Sequence, residues 1–413
     1  MYTRRAISKN TFYIFVEKVI KMISYLFSGV VIARNVEPEI FGIYSSLLSL
    51  NVIFSAISAL GLNSILIKKY VTSNYLNSVV SNALFVRFFS CLLFSLLSIP
   101  IAFALICSDL LVALLSSLIV VMSLTSVIDL FFESKLRNVV VAKYKVVGYI
   151  VGFCLKVFVA VYFKSTICLV AAHLIELLVI FSLSAFCFRF EFPNHIKTKL
   201  INRSYSTSLL KIGFPLFLSS IAGITYMKID QLFVVYFLGG QSAGYYASAV
   251  RVCEGLFAFS AILLPSFFPY LINLYRSSLT LFNKAMKSLY FYLLGFGVLL
   301  ASLIVIFSDR IIFLFYGDAY SSSSEVLVWF SLSIPVVYIG ELFSRWLVIS
   351  NNTYLSLQRH MLGLFVNVVL NYFLIPVYGI KGAAVASLIS YIFSVLIFSV
   401  VSSRARRFYI FLK

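Results

Sequence analysis

The chain has 413 residues, of which 62% are hydrophobic and only 11% charged, and its formal net charge is +19. A soluble protein carries about a quarter of its residues as charged groups, so this composition excludes a soluble multidomain protein, and the high hydrophobicity excludes a disordered chain. The six cysteines are scattered without a CxxC pair, which excludes a disulfide framework and argues against a metal site. The composition predicts a polytopic membrane protein.

Apolar runs between polar breaks predict twelve membrane-spanning helices, since about 20 residues cross the hydrocarbon core. The first run follows a basic N-terminus but lacks a small-residue cleavage site, which favours a retained helix over a signal peptide. The predicted spans are 11–33, 41–67, 78–106, 110–132, 144–163, 166–188, 208–238, 243–275, 284–307, 325–349, 354–376 and 381–403.

The spans divide six from six at the largest loop, which is basic. This division predicts an all-α integral membrane fold of two six-helix bundles: an N-terminal lobe at 1–188, a cytoplasmic linker at 189–207, a C-terminal lobe at 208–403 and a basic cytoplasmic tail at 404–413. Both lobes begin with a similar pattern, Gly-Ile-Tyr in the first and Gly-Tyr-Tyr in the second. Duplicated bundles of this kind place the substrate path between their halves in many transporters.

The loop charges predict the orientation. When the loops are assigned alternately to the two sides of the membrane, twenty-one basic residues fall on one side and four on the other. Cytoplasmic loops carry the excess of Lys and Arg, so both termini are predicted to be cytoplasmic. The four residues on the opposite side are Arg34, Lys164, Arg310 and Lys381.

Three segments resemble a known family. They are VVIARNVEPEIFGIYSSLLSL at 30–50, KIGFPLFLSS with the following MKIDQLFVVYFLGGQSAGYYASAVRVCE within 211–254, and NVVLNYFLIPVYGIKGAAVASLISY at 367–391. Together they resemble the Wzx-type polysaccharide flippases of the multidrug/oligosaccharidyl-lipid/polysaccharide (MOP) exporter superfamily. Val36-Glu37 stands where that family usually has Leu-Gly, a small departure.

The resemblance implies a MATE/MOP-like, non-enzymatic protein of the bacterial inner membrane. Such a flippase moves a polyprenyl-diphosphate-linked oligosaccharide from the cytoplasmic to the outer leaflet by alternating access, for the assembly of O-antigen-like surface polysaccharide. The polymerase and chain-length machinery of the same pathway are its expected partners, together with membrane lipids, and no nucleic acid is expected.

Basic residues inside the spans predict a cationic cavity, because a charge near the bilayer centre is expensive unless it faces a cavity or a partner. Arg and Lys suit a diphosphate headgroup. The alternative is that Glu17–Lys21, Arg251–Glu254 and Glu341–Arg345 are intrahelical ion pairs, while Lys18, Lys156 and Lys211 extend to the membrane surface. The predicted substrate-binding residues are Lys21, Arg87, Lys228, Arg251 and Arg345.

Membrane carboxylates are the candidates for ion coupling by H⁺ or Na⁺, and no other cofactor is expected. Asp230 is the first candidate, with Glu17 and Glu341 behind it. His173 and Glu176 lie three residues apart, and in the absence of a second nearby His the spacing favours a packed polar contact over a metal site.

Three other functions stay open from the residues alone. A membrane oligosaccharide polymerase or glycosyltransferase would need acid, base or metal-binding residues in a substantial outer loop, and the chain has no DxD or HExxH motif and no long outer loop. A drug or metabolite antiporter, or a flippase of lipid-linked peptidoglycan precursors, would share the topology and differ in cargo.

Overall fold

The computed structural model describes residues 4–73, 75–192 and 200–412, and every regular element within these ranges is helical. Eight helices are long and apolar enough to cross a membrane, and one bent helix pair within the described ranges raises that number to nine. Two of the eight are 62 and 48 residues long, and each covers two predicted spans. The prediction of an all-α integral membrane protein is therefore confirmed. Lys197, Lys199 and Lys413, which were assigned to the linker and the tail, lie outside the described residues.

The first compact unit comprises residues 1–36 and 46–224. Its core is aromatic: the ring of Phe131 packs edge-on against Phe188 with centroids 5.1 Å apart, and both side chains are at most 2% exposed. The helices that lie wholly in this unit are α1 (Arg4–Asn35), α3 (Leu62–Thr72), α4 (Leu76–Leu105), α5 (Leu110–Met122), α6 (Thr125–Ser134), α7 (Asn138–Tyr162) and α8 (Thr166–Glu191), while α2 (Pro38–Ser58) and α9 (Arg203–Ser277) contribute their residues 46–58 and 203–224.

The second compact unit comprises residues 37–45 and 225–413. It holds the first turns of α2 and the larger part of α9. Its other elements are α10 (Leu279–Tyr316), a 3₁₀ turn (Asp318–Tyr320), α11 (Ser323–Ser331), α12 (Ile334–Ile349), α13 (Tyr354–Ile392), a π-helical turn (Phe393–Ile397), α14 (Phe398–Val401) and a 3₁₀ segment (Ala405–Leu412).

Glycines with positive φ separate neighbouring spans that follow one another without a loop. Gly239 (φ 81°) divides α9, and Gly379 (φ 60°) divides α13 just after Pro376. Only glycine adopts such a conformation at little cost, and an interior proline also removes a helical hydrogen bond. The Ile-Pro-x-Tyr-Gly part of the third family segment is therefore the sharp turn between the last two predicted spans.

Three predicted spans are broken rather than continuous. The span at 41–67 is split between α2 and α3, where Leu60 and Gly61 both have positive φ. The span at 110–132 is split between α5 and α6. The span at 325–349 consists of α11 and α12, which meet at an angle of 41°.

The C-terminal tail is folded onto the second unit. In a 3₁₀ helix residues three apart share a face, and Ala405, Phe408 and Phe411 form a buried face of the segment. The ring of Phe408 is 0% exposed and lies 4.9 Å from Phe343 of α12, centroid to centroid. The three described tail arginines remain exposed, so the basic tail is an amphipathic segment packed by its aromatic face.

Candidate functional site

In the second unit, the two halves of α9 are joined by an ion pair across the break at Gly239. Lys228 Nζ donates to Glu254 Oε1. Both side chains are partly accessible, at 21% and 17% exposure. Because neither charge is fully desolvated, the lysine can exchange a protein carboxylate for another anion.

Asp230 lies two residues after Lys228 on α9 and is buried, with 3% exposure. Its carboxylate accepts hydrogen bonds from the hydroxyls of Tyr246 and of Ser387, the latter at 2.8 Å, and from the backbone N–H of Gln231 at 2.9 Å. The partners come from both halves of α9 and from α13. Three donors around a buried carboxylate form a compact oxygen-rich site at the junction of three helical segments.

Arg251 is also buried, with 3% exposure. Its guanidinium lies over the ring of Phe41, 5.1 Å from the centroid, and Phe41 packs edge-on against Tyr320. Arg stacks on aromatic faces in this way in protein cores. The structure therefore places this predicted cavity residue in the packing around the start of α2.

Arg345 and Glu341 lie on the same face of α12 and form an ion pair at 3.7 Å. They are about one-third exposed, and the guanidinium also lies over the ring of Phe268. Tyr338, about one turn earlier on α12, is instead buried and donates to the carbonyl of Leu256 at 2.9 Å. The ion pair is therefore partly accessible, whereas the tyrosine has a structural role.

Arg359 is a buried cation that was counted among the twenty-one basic residues of the predicted cytoplasmic side, although it falls within the predicted span at 354–376. It lies in α13, is 5% exposed, and donates to the carbonyl of Gly340 at 3.3 Å and to Ser344 Oγ at 2.7 Å. Nothing in the residue spacing marks it, because it sits close to the polar break where loop charges are expected. Its position was predicted wrongly.

In the first unit, the carboxylate of Glu17 of α1 contacts polar side chains of α7. It accepts a hydrogen bond from Tyr149 Oη at 2.9 Å and lies 4.0 Å from Lys145 Nζ. Lys145 also pairs with Asp129 of α6 at 2.8 Å. Lys145 is one of the twenty-one basic residues counted on the predicted cytoplasmic side. It lies within α7, however, and joins a network of three helices.

Lys21 is exposed on α1 and makes no ion pair within the described ranges of the chain. The intrahelical Glu17–Lys21 pair considered above is therefore absent there, because Glu17 is turned towards α7. Among the five predicted cationic residues, Lys21 offers the most accessible charge.

Arg87 lies in the middle of α4 and is 2% exposed. It donates to the carbonyl of Ser123 at 3.1 Å and to Ser126 Oγ at 2.7 Å. Ser123 lies in the break between α5 and α6, and Ser126 lies in the first turn of α6. The guanidinium thus satisfies polar groups that the break exposes within the core.

Lys156 does not extend to the membrane surface, contrary to the expectation for a residue near a span end. It is 6% exposed and forms an ion pair with Glu176 of α8. His173 lies on the same carboxylate, with Nδ1 3.3 Å from Oε2. The predicted His173–Glu176 contact is therefore one side of a triad completed from α7.

The glycines of the family-like segments serve close packing. A Cβ at Gly42 would overlap the backbone of Gly240 and Gly244, and a Cβ at Gly244 would overlap the backbone of Pro38. Both segments belong to the second unit, so the two similar Gly-x-Tyr patterns meet backbone to backbone. Small residues allow helices in membranes to approach in this way.

These packing segments lie within the region of the chain that matches a known family. The profile described as "Polysaccharide biosynthesis protein" matches residues 31–274, more than half of the chain. The chain belongs to this family. The probable low-salt glycan biosynthesis flippase Agl15 of Haloferax volcanii is 26% identical over 180 residues, which cover 42% of this chain and 37% of that protein. The match therefore spans well under half of that relative's length.

Solved structures give the fold. The lipid II flippase MurJ in an inward closed conformation is similar with a TM-score of 0.74 and 16% identity over 94% of this chain and 86% of that one. An inward-facing multidrug resistance transporter of the MATE family, from the MOP superfamily, has a TM-score of 0.72 and 12% identity over 94% and 95% of the two chains. The chain has the fold of these two proteins, which confirms the fold that the resemblance implies.

The chain is thus a member of the polysaccharide biosynthesis protein family with the fold of these two membrane transporters. No group of three or more metal-binding side chains occurs in the part of the chain that the structure describes.

Proposed function

We propose that this protein flips polyprenyl-diphosphate-linked oligosaccharides across a bacterial inner membrane. The observation that carries the proposal is that a member of the polysaccharide biosynthesis protein family exposes cations on otherwise apolar helices, namely Lys21, Lys228 and Arg345. A diphosphate needs such partners when it leaves water. Agl15, named as a probable glycan flippase, supports the same class of cargo.

The two ion pairs of the second unit fit a mechanism of exchange. Glu254 and Glu341 neutralise Lys228 and Arg345 while the site is empty, so a charge is never left alone in the membrane. A diphosphate would displace these carboxylates and gain charge-assisted hydrogen bonds, and the carboxylates would re-form the pairs on release. Arg87 and Arg251, which are buried in protein packing, are left out of the substrate-contacting set.

Alternating access would be driven by an ion, with Asp230 as the first coupling residue. Its three hydrogen-bond donors stabilise a carboxylate, and binding of H⁺ or Na⁺ would change those bonds between two helical segments of α9 and α13. Glu17 and Glu341 are the second candidates, since each lies beside an exposed or partly exposed cation.

The proposal also covers the membrane topology of the protein and the pathway that it serves. The excess of basic loop residues supports cytoplasmic termini, and the six-plus-six division supports lobes at 1–188 and 208–403 joined by the linker at 189–207. The flipped units would feed surface polysaccharide assembly of the O-antigen type, through the polymerase and chain-length machinery.

Deletion of the gene in its host tests the proposal. We expect single lipid-linked repeat units to accumulate on the cytoplasmic face, where a sugar-modifying enzyme added outside the inner membrane cannot reach them, and surface polymer to be lost. Units that reach the outer face but stay unpolymerised would overturn the proposal in favour of a polymerase. Normal polymer with altered drug sensitivity would favour an antiporter instead.

A further inference from the structure

A buried triad in the first unit has no part in the mechanism proposed above. Lys156 of α7 and His173 of α8 both approach one atom, Oε2 of Glu176, with His173 Nδ1 at 3.3 Å. Lysine and glutamate alone would form a complete pair. The histidine adds the side chain whose charge changes most readily near neutral pH.

The backbone of α7 leaves room for the Glu176 carboxylate at Gly152. A Cβ at Gly152 would overlap the carboxyl group of Glu176, so only glycine allows this side chain to lie against α7 and reach Lys156. The Glu176 and Lys156 side chains are each 7% exposed, whereas His173 is 19% exposed. His173 is therefore the most exposed member of the triad, while Lys156 and Glu176 form an almost completely enclosed ion pair.

We propose that His173, Glu176 and Lys156 form a proton-binding site in which protonation of His173 shifts Glu176 from Lys156 towards the imidazolium. With Nδ1–H donating to Glu176, the arriving proton forms a new N–H bond at Nε2 and no bond is broken. The triad then changes from neutral to a net charge of +1. Two cations compete for one carboxylate oxygen, so the Lys156 ammonium is released in part.

The change of charge in the triad alters the electrostatic environment of a neighbouring lysine. Lys21 of α1, the exposed cation, lies within electrostatic range of both His173 and Glu176. A further positive charge in the triad repels the ammonium group of Lys21, whereas loss of the proton removes that repulsion. The site's use as a proton-coupling device rests on the proposed function, but the binding of the proton does not. Of the helices packed against α8, α5 carries no charged or titratable group and α6 carries Asp129 and Glu133. The groups on α7 are Lys143, Tyr144, Lys145, Tyr149, Cys154, Lys156 and Tyr162, while Glu17 and Lys21 belong to α1, which packs against α7.

Histidine NMR tests proton binding directly. The chain has only three histidines, so ¹⁵N-histidine-labelled protein in lipid nanodiscs gives few imidazole signals, and the His173→Asn variant assigns one of them. We expect that signal to shift as the pH is lowered and the imidazole takes up a proton. Its midpoint should move to higher pH in Lys156→Gln and to lower pH in Glu176→Gln. A His173 signal that does not titrate, or a midpoint indifferent to both variants, overturns the proposal.

Transport in proteoliposomes tests the coupling role. An imposed proton gradient should accelerate flipping by the wild type and by the control His360→Asn, whereas His173→Asn and His173→Gln should flip at the rate measured without a gradient. Equal acceleration in the His173 variants would overturn coupling through this site. If wild-type protein flips nothing while His173 titrates as described, the proton site stands and the proposed function fails.

Discussion

Lys228 and Glu254 form an ion pair that joins the two halves of α9 across the positive-φ turn at Gly239. The residues are 26 positions apart, so the pair depends on the turn and is not an intrahelical contact. It gives the second unit an accessible cation that is neutralised by the protein itself. Such a neutralised lysine is the kind of group that the proposed exchange with a diphosphate requires.

Lys228→Gln should reduce transport more than it reduces stability. One lost charge-assisted contact is worth about 1.5–3 kcal/mol, which corresponds to roughly a 10- to 100-fold weaker apparent affinity. Flipping by purified protein in proteoliposomes measures the effect, with Lys211→Gln on the same helix as the exposed control. The double variant Lys228→Gln/Glu254→Gln should regain thermal stability without regaining transport. Full transport in the double variant would contradict a role for Lys228 in binding.

Asp230→Asn should uncouple transport from its driving ion, because the amide keeps the size of the side chain but loses the charge. We expect basal flipping to remain and stimulation by a proton or sodium gradient to disappear. Rates with and without each gradient measure this, and Glu325→Gln, an exposed carboxylate paired with Lys381, is the control. Undiminished stimulation in Asp230→Asn would remove this residue from the coupling candidates.

Arg87→Ala should destabilise the protein and spare its function. It leaves the Ser123 carbonyl and the Ser126 hydroxyl without their donor, which costs about 1–3 kcal/mol for a buried group, and it opens a cavity in α4 packing. A lower melting temperature of the purified protein, with unchanged flipping per folded molecule, is the expected result. Lost flipping at unchanged stability would return Arg87 to the substrate-contacting set.

Gly244→Ala should loosen the packing of α2 against α9. The new methyl group would overlap the backbone at Pro38, and overpacking of this kind costs about 1–3 kcal/mol. Gly255→Ala is the matched control on the same helix, since a Cβ there meets nothing within 4 Å. Thermal unfolding of the two variants should separate them, and equal melting temperatures would contradict the close approach.

Phe408→Ala should release the C-terminal segment. Phe408 is fully buried among the rings of Phe343 and Trp346, and deletion of a buried phenylalanine costs about 3–5 kcal/mol. Faster proteolytic cleavage of the tail measures the release. Ile410→Ala, at a position that is 52% exposed, should leave the cleavage rate unchanged. Equal rates in both variants would show that the tail is not held by its aromatic face.

Composition and spacing were enough for the fold class, because the cost of burying polar groups in lipid leaves few ways to arrange so many apolar runs. Each predicted span lies on a helix or a bent helix pair. The breaks at Gly239 and Gly379 were also visible as polar or Gly-rich interruptions. The breaks after Ser58, Met122 and Ser331 were missed, since the small and polar residues near them, such as Gly61, Ser123 and Ser333, are too few to interrupt the apolar runs.

The sequence by itself determined that charges lie inside the membrane, but only the tertiary structure decided what each charge contacts. Spacing along one helix proposes partners three or four residues away, as for Glu341 and Arg345, and that pair is present. Glu17, Glu176, Lys156 and Glu254 instead pair with distant residues, through helix contacts that no local pattern encodes. Burial likewise depends on neighbouring helices, which is why Lys21 is exposed while Arg87 lies in the core.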